Sequence, residues 1–223
     1  MINVMVFAPH PDDDIIGCGG SMARHVQNGN QVSIVYLTSG EAGSLKYTKA
    51  ELADIREREA REAAALLGVC QLTFLGMPDG FISYDQKNLV SLVNVIRRQR
   101  PDLIYVPHAE DEVHDHQVTW QLVSEACSKA AGPWFQDCPT EPWSTSTILA
   151  YEVWTPLQRP SYIEDISDFM PAKLEALRCH RSQLEIIRYD DAIQGLNRYR
   201  GVLTSKGQFC EAFMVIKAGG TLC

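Results

Sequence analysis

The sequence predicts an α/β protein, a doubly wound sandwich of three layers in which helices cover both faces of a mostly parallel sheet. Two observations predict this class: short apolar segments alternate with longer segments of helical periodicity, and the apolar segments are hydrophobic almost throughout. A third observation is size, because 223 residues with 45% hydrophobic content suffice for one well-buried core but are few for two domains. We therefore expect residues 1–223 to form a single domain.

Six segments have the length and composition of buried strands. They are short, rich in β-branched residues, and mostly separated by helical segments, so parallel pairing through crossover connections is expected. The predicted strands cover residues 2–7, 32–38, 71–75, 102–106, 147–153 and 212–217.

The best-defined helix is predicted over residues 50–67. Thr48 and Glu51 have the spacing of a capping box at its start, and Gly68 is placed to end it. Two further helices are predicted, one over residues 87–99 and one after His116.

The overall charge argues against polyanionic partners. The chain carries 20 Lys and Arg against 28 Asp and Glu, a formal net charge of −8. Nucleic acids and anionic membrane surfaces are bound through basic faces, so we expect neither partner. The sequence contains no apolar run near the roughly 20 residues of a membrane span, and it begins as a strand without a basic leader. We expect a cytoplasmic protein with no membrane span.

Cysteine usage fits a reducing compartment. The seven cysteines are odd in number, scattered, and without a C-x-x-C pair, which favours reduced thiols. Cys18 lies beside an acidic turn, where it could serve as a metal ligand or pack as a small hydrophobic residue. We expect packing, because neighbouring carboxylates already offer ligands.

One long irregular segment interrupts the alternation of strands and helices. Residues 132–143 contain three prolines and two tryptophans. Long loops in compact domains are commonly functional, and large aromatic side chains would otherwise be exposed apolar surface. We expect this loop either to wall a pocket or to join subunits of a homo-oligomer.

The most informative stretch, residues 8–20, follows the first predicted strand. It places His10 and the carboxylates of Asp12, Asp13 and Asp14 on the turn before a glycine-rich helix start. Ligands of open α/β sheets bind beyond the carboxyl ends of the strands, which is where this turn lies. His10 and Asp13 can converge on one divalent ion if the chain turns between them, while Asp12 remains free to take a proton from water.

Two other interpretations fit this turn less well. Glycines at positions 17, 19 and 20 suggest a dinucleotide fingerprint, but their spacing differs, and a pyrophosphate would meet three aspartates. Aspartates before a helix also cap it, yet capping needs one carboxylate, a role that suits Asp14, and it leaves His10 unexplained. The acidic turn therefore favours a cation.

A second polar segment offers the remaining metal ligand. Residues 107–116 directly follow the predicted strand 102–106 and contain three histidines. A parallel sheet would bring this segment to the same edge as the acidic turn. His116 is the candidate third ligand, and His114 and Asp115 are candidate catalytic or supporting groups. The predicted chemistry is metal-assisted hydrolysis.

Motifs along nearly the whole chain carry a family resemblance. The segments are residues 10–13, 17–20, 38–41, 56, 59, 78–80, 115–116, 180–183, 199–201 and 211–213. In combination they resemble the PIG-L/LmbE-type family of metal-dependent N-deacetylases, whose members act on N-acetylglucosamine conjugates. The resemblance implies a Rossmann-like sandwich with one LmbE-like deacetylase domain.

The resemblance also implies roles for individual residues. Asp12 would act as the general base, and Arg56 and Asp79 would line the substrate pocket. Ferrous iron is an alternative to zinc, because histidine and carboxylate ligands suit either ion. The implied zinc ligands are His10, Asp13 and His116.

One position departs from the family pattern. The family commonly has a histidine three residues before the last ligand, and that position here is Val113. The group that stabilises the oxyanion is therefore open between His114, His108 and another donor. Asp12, once protonated, can return its proton to the departing nitrogen, so one acid/base residue is physically sufficient.

The implied reaction is hydrolysis of the N-acetyl group of a small amino-sugar conjugate to acetate and a free amine. Two alternatives stay open. One is a related zinc amidase that acts on a larger amide or a thiol conjugate. The other is a catalytically inactive sugar-binding protein, which Val113 favours.

Overall fold

A seven-stranded sheet flanked by helices forms the centre of the molecule and confirms the predicted α/β class. The computed structural model describes residues 1–69, 71–135, 138 and 140–219. The strands are β1 (Asn3–Ala8), β2 (Gln31–Tyr36), β3 (Gln71–Phe74), β4 (Leu103–Pro107), β5 (Thr147–Tyr151), β6 (Tyr162–Asp165) and β7 (Cys210–Lys217). The helices are α1 (Asp13–Gln27), α2 (Lys49–Leu66), α3 (Gln86–Gln99), α4 (His114–Ala130), α5 (Met170–Leu177), α6 (Arg181–Leu184) and α7 (Tyr189–Thr204).

The order of the strands places a crevice between β1 and β4. The sheet runs β3-β2-β1-β4-β5-β7-β6, and its first five strands are parallel. Strand β7 is antiparallel to its neighbours, β5 and β6. The chain leaves β1 toward one side and β4 toward the other, which makes their carboxyl ends the switch point where such sheets bind ligands. The acidic turn and the segment after β4 both begin there.

All six predicted strands are present, and the sequence missed β6. That strand is a four-residue edge strand, half-buried, with a single aliphatic residue, Ile163, so it has no apolar run to mark it. It pairs antiparallel with β7 and completes the sheet.

The helix predictions are confirmed except at one start. The capping box of α2 is formed, with the Glu51 N–H donating to Thr48 Oγ1 and the Thr48 N–H to Glu51 Oε2. The third predicted helix, α4, begins at His114 and not after His116. Asp111 Oδ1 accepts the N–H of Val113, the N-cap residue, and this turn starts the helix early. His116 therefore lies in the first turn of α4.

The two faces of the sheet bury separate cores. Alternating residues of β1 show this directly, since Val4 and Val6 pack into one cluster while Met5 and Phe7 pack into the other. Helices α3 and α4 cover the second cluster, and α1, α2 and α5 cover the first. Among the described helices, none combines the length and apolar character needed to cross a membrane.

The structure describes the side chains of five of the seven cysteines. The five cysteines whose side chains are described are free thiols, and Cys18 is fully buried in the core, as expected. Cys70 and Cys223 lie outside the described residues.

Candidate metal centre

The acidic turn is held in an unusual backbone conformation. Asp12 has a φ of 135°, a left-handed value that costs energy for any residue with a Cβ. The guanidinium of Arg56 on α2 stabilises it, donating from Nη2 to the Pro11 carbonyl at 2.7 Å and lying 3.1 Å from Asp12 Oδ1. Arg56 also donates to the Gly40 carbonyl at 3.1 Å, and a Cβ at position 40 would collide with it. The buried guanidinium of Arg56 therefore fixes the conformation of this turn.

The three predicted metal ligands converge on one point. Asp13 Oδ2 lies 3.1 Å from His10 Nδ1 and 3.3 Å from His116 Nε2. The two imidazole rings are 5.4 Å apart between centroids, and all three ligand atoms lie within 4.8 Å of one another. Asp13 and His116 are almost fully buried. Strands β1 and β4 thus bring residues about a hundred positions apart to one edge of the sheet, as the sequence predicts.

The residues present fit a divalent metal ion. His116 is completely buried, and neither of its ring nitrogens makes a well-aligned hydrogen bond within the described residues. Two imidazole nitrogens and one carboxylate oxygen are a common catalytic zinc set. Tetrahedral zinc with bonds of about 2.0–2.1 Å holds its ligand atoms about 3.3 Å apart, close to the separations of Asp13 Oδ2 from both rings.

A further shell of carboxylates orients both imidazoles. His10 Nε2 lies 3.1 Å from Asp79 Oδ1 and 3.2 Å from Asp115 Oδ2, while His116 Nδ1 lies 3.3 Å from Asp111 Oδ1. In each ring the nitrogen that is not near Asp13 faces a carboxylate, the arrangement that fixes the tautomer and raises the basicity of a ligating histidine.

Backbone donors hold these outer carboxylates in turn. Asp115 accepts the N–H groups of Gly80 and Ile82 at 2.8 and 3.2 Å. Asp79 Oδ2 accepts the Ala42 N–H at 2.8 Å, and Glu41 accepts the Asp79 N–H at 2.9 Å. The loops after β2 and β3 are thus tied to each other and to the histidine ligand after β1.

Asp111 is the contributor that sequence reasoning missed. It lies in the quoted segment 107–116, but its position among three consecutive acidic residues resembles a solvated charge run. In the structure it is 1% exposed and contacts His116. Its burial is a tertiary property that no local pattern signals.

The electrostatics of the cluster favour positive charge at its centre. Burial would raise the pKa of Asp13, but the neighbouring imidazoles of His116 and His10 hold it well below its usual range. Burial would lower the pKa of His116, but Asp13 and Asp111 raise it to about 9. Burial raises the pKa of Asp12 to about 7 against the opposing effect of Arg56. A metal ion bound between these side chains would take the place of the protons that the imidazoles otherwise bind.

The predicted pocket residues lie around one cavity of about 300 Å³. Arg56 and Asp79 both line it, although their polar atoms are already engaged with the acidic turn, the Gly40 carbonyl and His10. Described residues of the loop 132–143 do not line it. Instead Arg97 ties that loop to α3 through five backbone carbonyls of residues 129–135. The described residues of this loop line a separate cavity together with Arg97, so the loop walls a pocket, but not the one beside the candidate metal ligands.

The histidines that could replace the family's second catalytic histidine are in different situations. His108 is buried, with Nε2 donating to the Thr155 carbonyl at 2.7 Å and Nδ1 accepting the Glu110 N–H at 3.1 Å. Both ring nitrogens are therefore occupied, which removes His108 from the candidates. His114 is exposed and lines the cavity beside Val113.

One further expectation, the capping role of Asp14, changes in the structure. Asp14 does not cap α1 but accepts a hydrogen bond from the buried Tyr36 hydroxyl at 3.0 Å. The outlying motif residues form buried pairs that join elements. The pairs are Glu59 with Ser182, Glu152 with Arg200, and Lys173 with Glu211.

Comparison with known proteins shows which family and which folds this chain is similar to. The family model described as PIG-L, GlcNAc-PI de-N-acetylase, matches residues 5–127. The diacetylchitobiose deacetylase of Thermococcus kodakarensis is 33% identical over 81% of this chain and 69% of its own length. The crystal structure of a conserved protein from Thermus thermophilus matches with a TM-score of 0.88 at 29% identity, covering 100% of this chain and 98% of that one.

A relative with another activity is also found. The 4-oxalmesaconate hydratase of Pseudomonas putida is 27% identical, covering 84% of this chain and 76% of its own length. The fold and the cluster of His10, Asp13 and His116 define an α/β protein with a candidate metal site at the switch point of its sheet. The match to the family model and the similarity to these relatives show that the chain belongs to the PIG-L family.

Proposed function

We propose that this protein is a metal-dependent N-deacetylase that hydrolyses the acetamide of an N-acetylglucosamine-type conjugate to acetate and a free amine. The observation that carries the proposal is the convergence of His10, Asp13 and His116 beside the carboxylate of Asp12, in a cavity open to a small molecule. Curated relatives with deacetylase activity support the choice of reaction.

The ligand set supports zinc first and ferrous iron second. His10, Asp13 and His116 would hold the ion, which polarises a carbonyl and makes water a stronger nucleophile at neutral pH. Asp79, Asp115 and Asp111 would keep both imidazoles turned toward it. Asp115, which the sequence offered as a catalytic or supporting group, would then have a positioning role, supported by its contacts with His10 and the Gly80 N–H.

Asp12 would act as both base and acid. It lines the cavity, and its pKa of about 7 lies near the operating pH, as proton transfer in both directions requires. It accepts a proton from the attacking water and returns that proton to the departing nitrogen. Arg56 fixes the direction of the carboxylate, and His114 at the cavity rim is the remaining imidazole able to meet the substrate.

The proposal is tested by acetate release. The metal-depleted protein is reloaded with zinc or ferrous iron and incubated with N-acetylglucosamine, its glycosides and N,N′-diacetylchitobiose, and both acetate and the new amine are measured. Equal amounts of both products, dependent on added metal, are expected. Release of a larger acid would indicate the related amidase, hydration of an unsaturated acid would indicate the hydratase chemistry, and sugar binding without turnover would indicate an inactive protein.

A further inference from the structure

We propose that the cavity selects an uncharged saccharide substrate, with the sugar ring next to the acetamide-bearing ring stacked on the indole of Trp154. This inference rests on the proposed deacetylase function and specifies its substrate class. Three features of the cavity support it: the pairing of the nearby cations, an apolar wall that includes Trp154, and the hydrogen bonds that fix this wall.

The cavity offers no free cation for an anionic aglycone. Among the described residues that line it, Arg56 is the only lysine or arginine, and its guanidinium is engaged with two backbone carbonyls and Asp12. Three cations in flanking segments, Lys46, Arg181 and Arg188, are paired with Glu185, Glu62 and Asp190. A malate or phosphate substituent would meet carboxylates without a basic partner, so a neutral conjugate fits better.

An aromatic wall lies in the same cavity. Trp154 is 38% exposed, and the ring of Tyr189 packs edge-on against it at 5.1 Å and 73°. Val113, in place of the family's histidine, adds an aliphatic surface to this lining. An exposed indole beside convergent polar groups is typical of a ligand site, and the apolar C–H face of a pyranose is a suitable partner for it.

The wall is fixed relative to the metal ligands. Asp111 Oδ2 accepts the N–H groups of Trp154 and Thr155 at 3.0 and 3.1 Å, while Asp111 Oδ1 faces His116 Nδ1. The Thr155 carbonyl and hydroxyl are held by His108 and by the Glu112 N–H. One carboxylate therefore sets the indole and a metal ligand together, which is the precision that positioning a second ring requires.

The experiment compares three acetamides on the metal-loaded protein: N-acetylglucosamine, neutral N,N′-diacetylchitobiose, and the anionic N-acetylglucosaminyl malate. The disaccharide should have the highest kcat/KM. Trp154→Ala should lower the ratio of kcat/KM for the disaccharide to that for the monosaccharide about tenfold, mainly through KM, because the contact of the second ring with the indole is lost; tenfold corresponds to about 1.4 kcal/mol. Trp154→Phe should restore part of the ratio.

The matched control is Trp134→Ala, an exposed tryptophan that does not line the cavity; it should leave the ratio unchanged. An equal loss on both sugars in Trp154→Ala, with no rescue by Trp154→Phe, assigns the residue a structural role and overturns the inference. A preference for the malate conjugate also overturns it while the deacetylase proposal stands. Absence of acetate from all three substrates defeats the proposed function and this inference with it.

Discussion

Individual carboxylate side chains set the geometry of the candidate metal site. Asp13 lies between two imidazoles, and each imidazole has a second carboxylate on its other nitrogen. The convergence of His10, Asp13 and His116 was predictable because histidine and aspartate follow strand ends in a recognisable pattern. The orienting role of Asp111 was not, because it depends on which side chain the fold places behind His116.

Replacing Asp12 with asparagine tests the acid/base role. Asp12→Asn keeps the shape of the side chain but cannot accept a proton, so deacetylation should fall about 10²-fold or more. Metal content, measured by plasma emission spectrometry on the same preparation, should stay near the wild-type value. Full activity in this variant would remove Asp12 from the proposed role.

Replacing Asp111 with asparagine tests the orientation of His116. Asp111→Asn should weaken zinc affinity by about 10–100-fold, because an outer carboxylate fixes the tautomer and basicity of its histidine ligand. Competition with a chelator of known affinity measures the loss. The neighbouring, exposed Glu110→Gln is the control with the same change of charge. Equal affinities in the two variants would contradict the assignment.

A break in α1 links the metal centre to the far side of the fold. Cys18 has non-helical φ and ψ of −144° and 23°, and Glu211 on β7 accepts the N–H groups of Gly20 and Ser21. Lys173 on α5 donates to the Ile16 carbonyl and to Glu211. The buried ion pair thus satisfies the backbone groups at the kink, and the kink sets the direction of the first turn of the helix.

Removing one member of this pair should be strongly destabilising. Lys173→Met leaves the Glu211 carboxylate without its cation at a fully buried position, and the expected loss is about 3–5 kcal/mol in the free energy of unfolding. Urea denaturation followed by circular dichroism measures it. The double variant with Glu211→Leu should lose less than the sum of the two single variants. A change below about 1 kcal/mol in Lys173→Met would show that the pair is not needed.

Elements with strong local signals were predicted, and those set by tertiary contacts were not. The capping box of α2 and the apolar segments of β1 and β4 are legible in the sequence. The edge strand β6 is not, because it depends on pairing with β7. The start of α4 also depends on a side-chain contact, from Asp111 to the Val113 N–H.

The candidate metal site lies at one edge of the sheet, and two other histidines, His25 and His180, are buried outside the cluster of candidate ligands. His25, on α1, bonds to the Tyr105 hydroxyl at 3.1 Å. Burial, followed by the charge of Arg24, lowers its pKa to about 4. His180 is fully buried, and burial followed by the charge of Arg56 lowers its pKa to about 3.

The homo-oligomer that the sequence suggested stays a prediction.

These histidines make stability depend on pH. Below about pH 6.5 the unfolded chain protonates His25, whereas the folded chain does so only near pH 4. The unfolded state therefore binds more protons in this window, and stability should fall as the pH drops, by up to about 1.4 kcal/mol per unit for each such group. Urea midpoints across pH 4–8 measure this dependence. His25→Gln should flatten the slope, and an unchanged slope would contradict a neutral buried His25.

We propose that one metal ion is held between the acidic turn after β1 and the start of α4. Anomalous diffraction at the zinc and iron absorption edges, from crystals grown with the metal-loaded protein, tests it most directly. We expect a single strong anomalous peak within bonding distance of His10 Nδ1, Asp13 Oδ2 and His116 Nε2. A fully loaded protein whose anomalous peak lies away from these three atoms would contradict it.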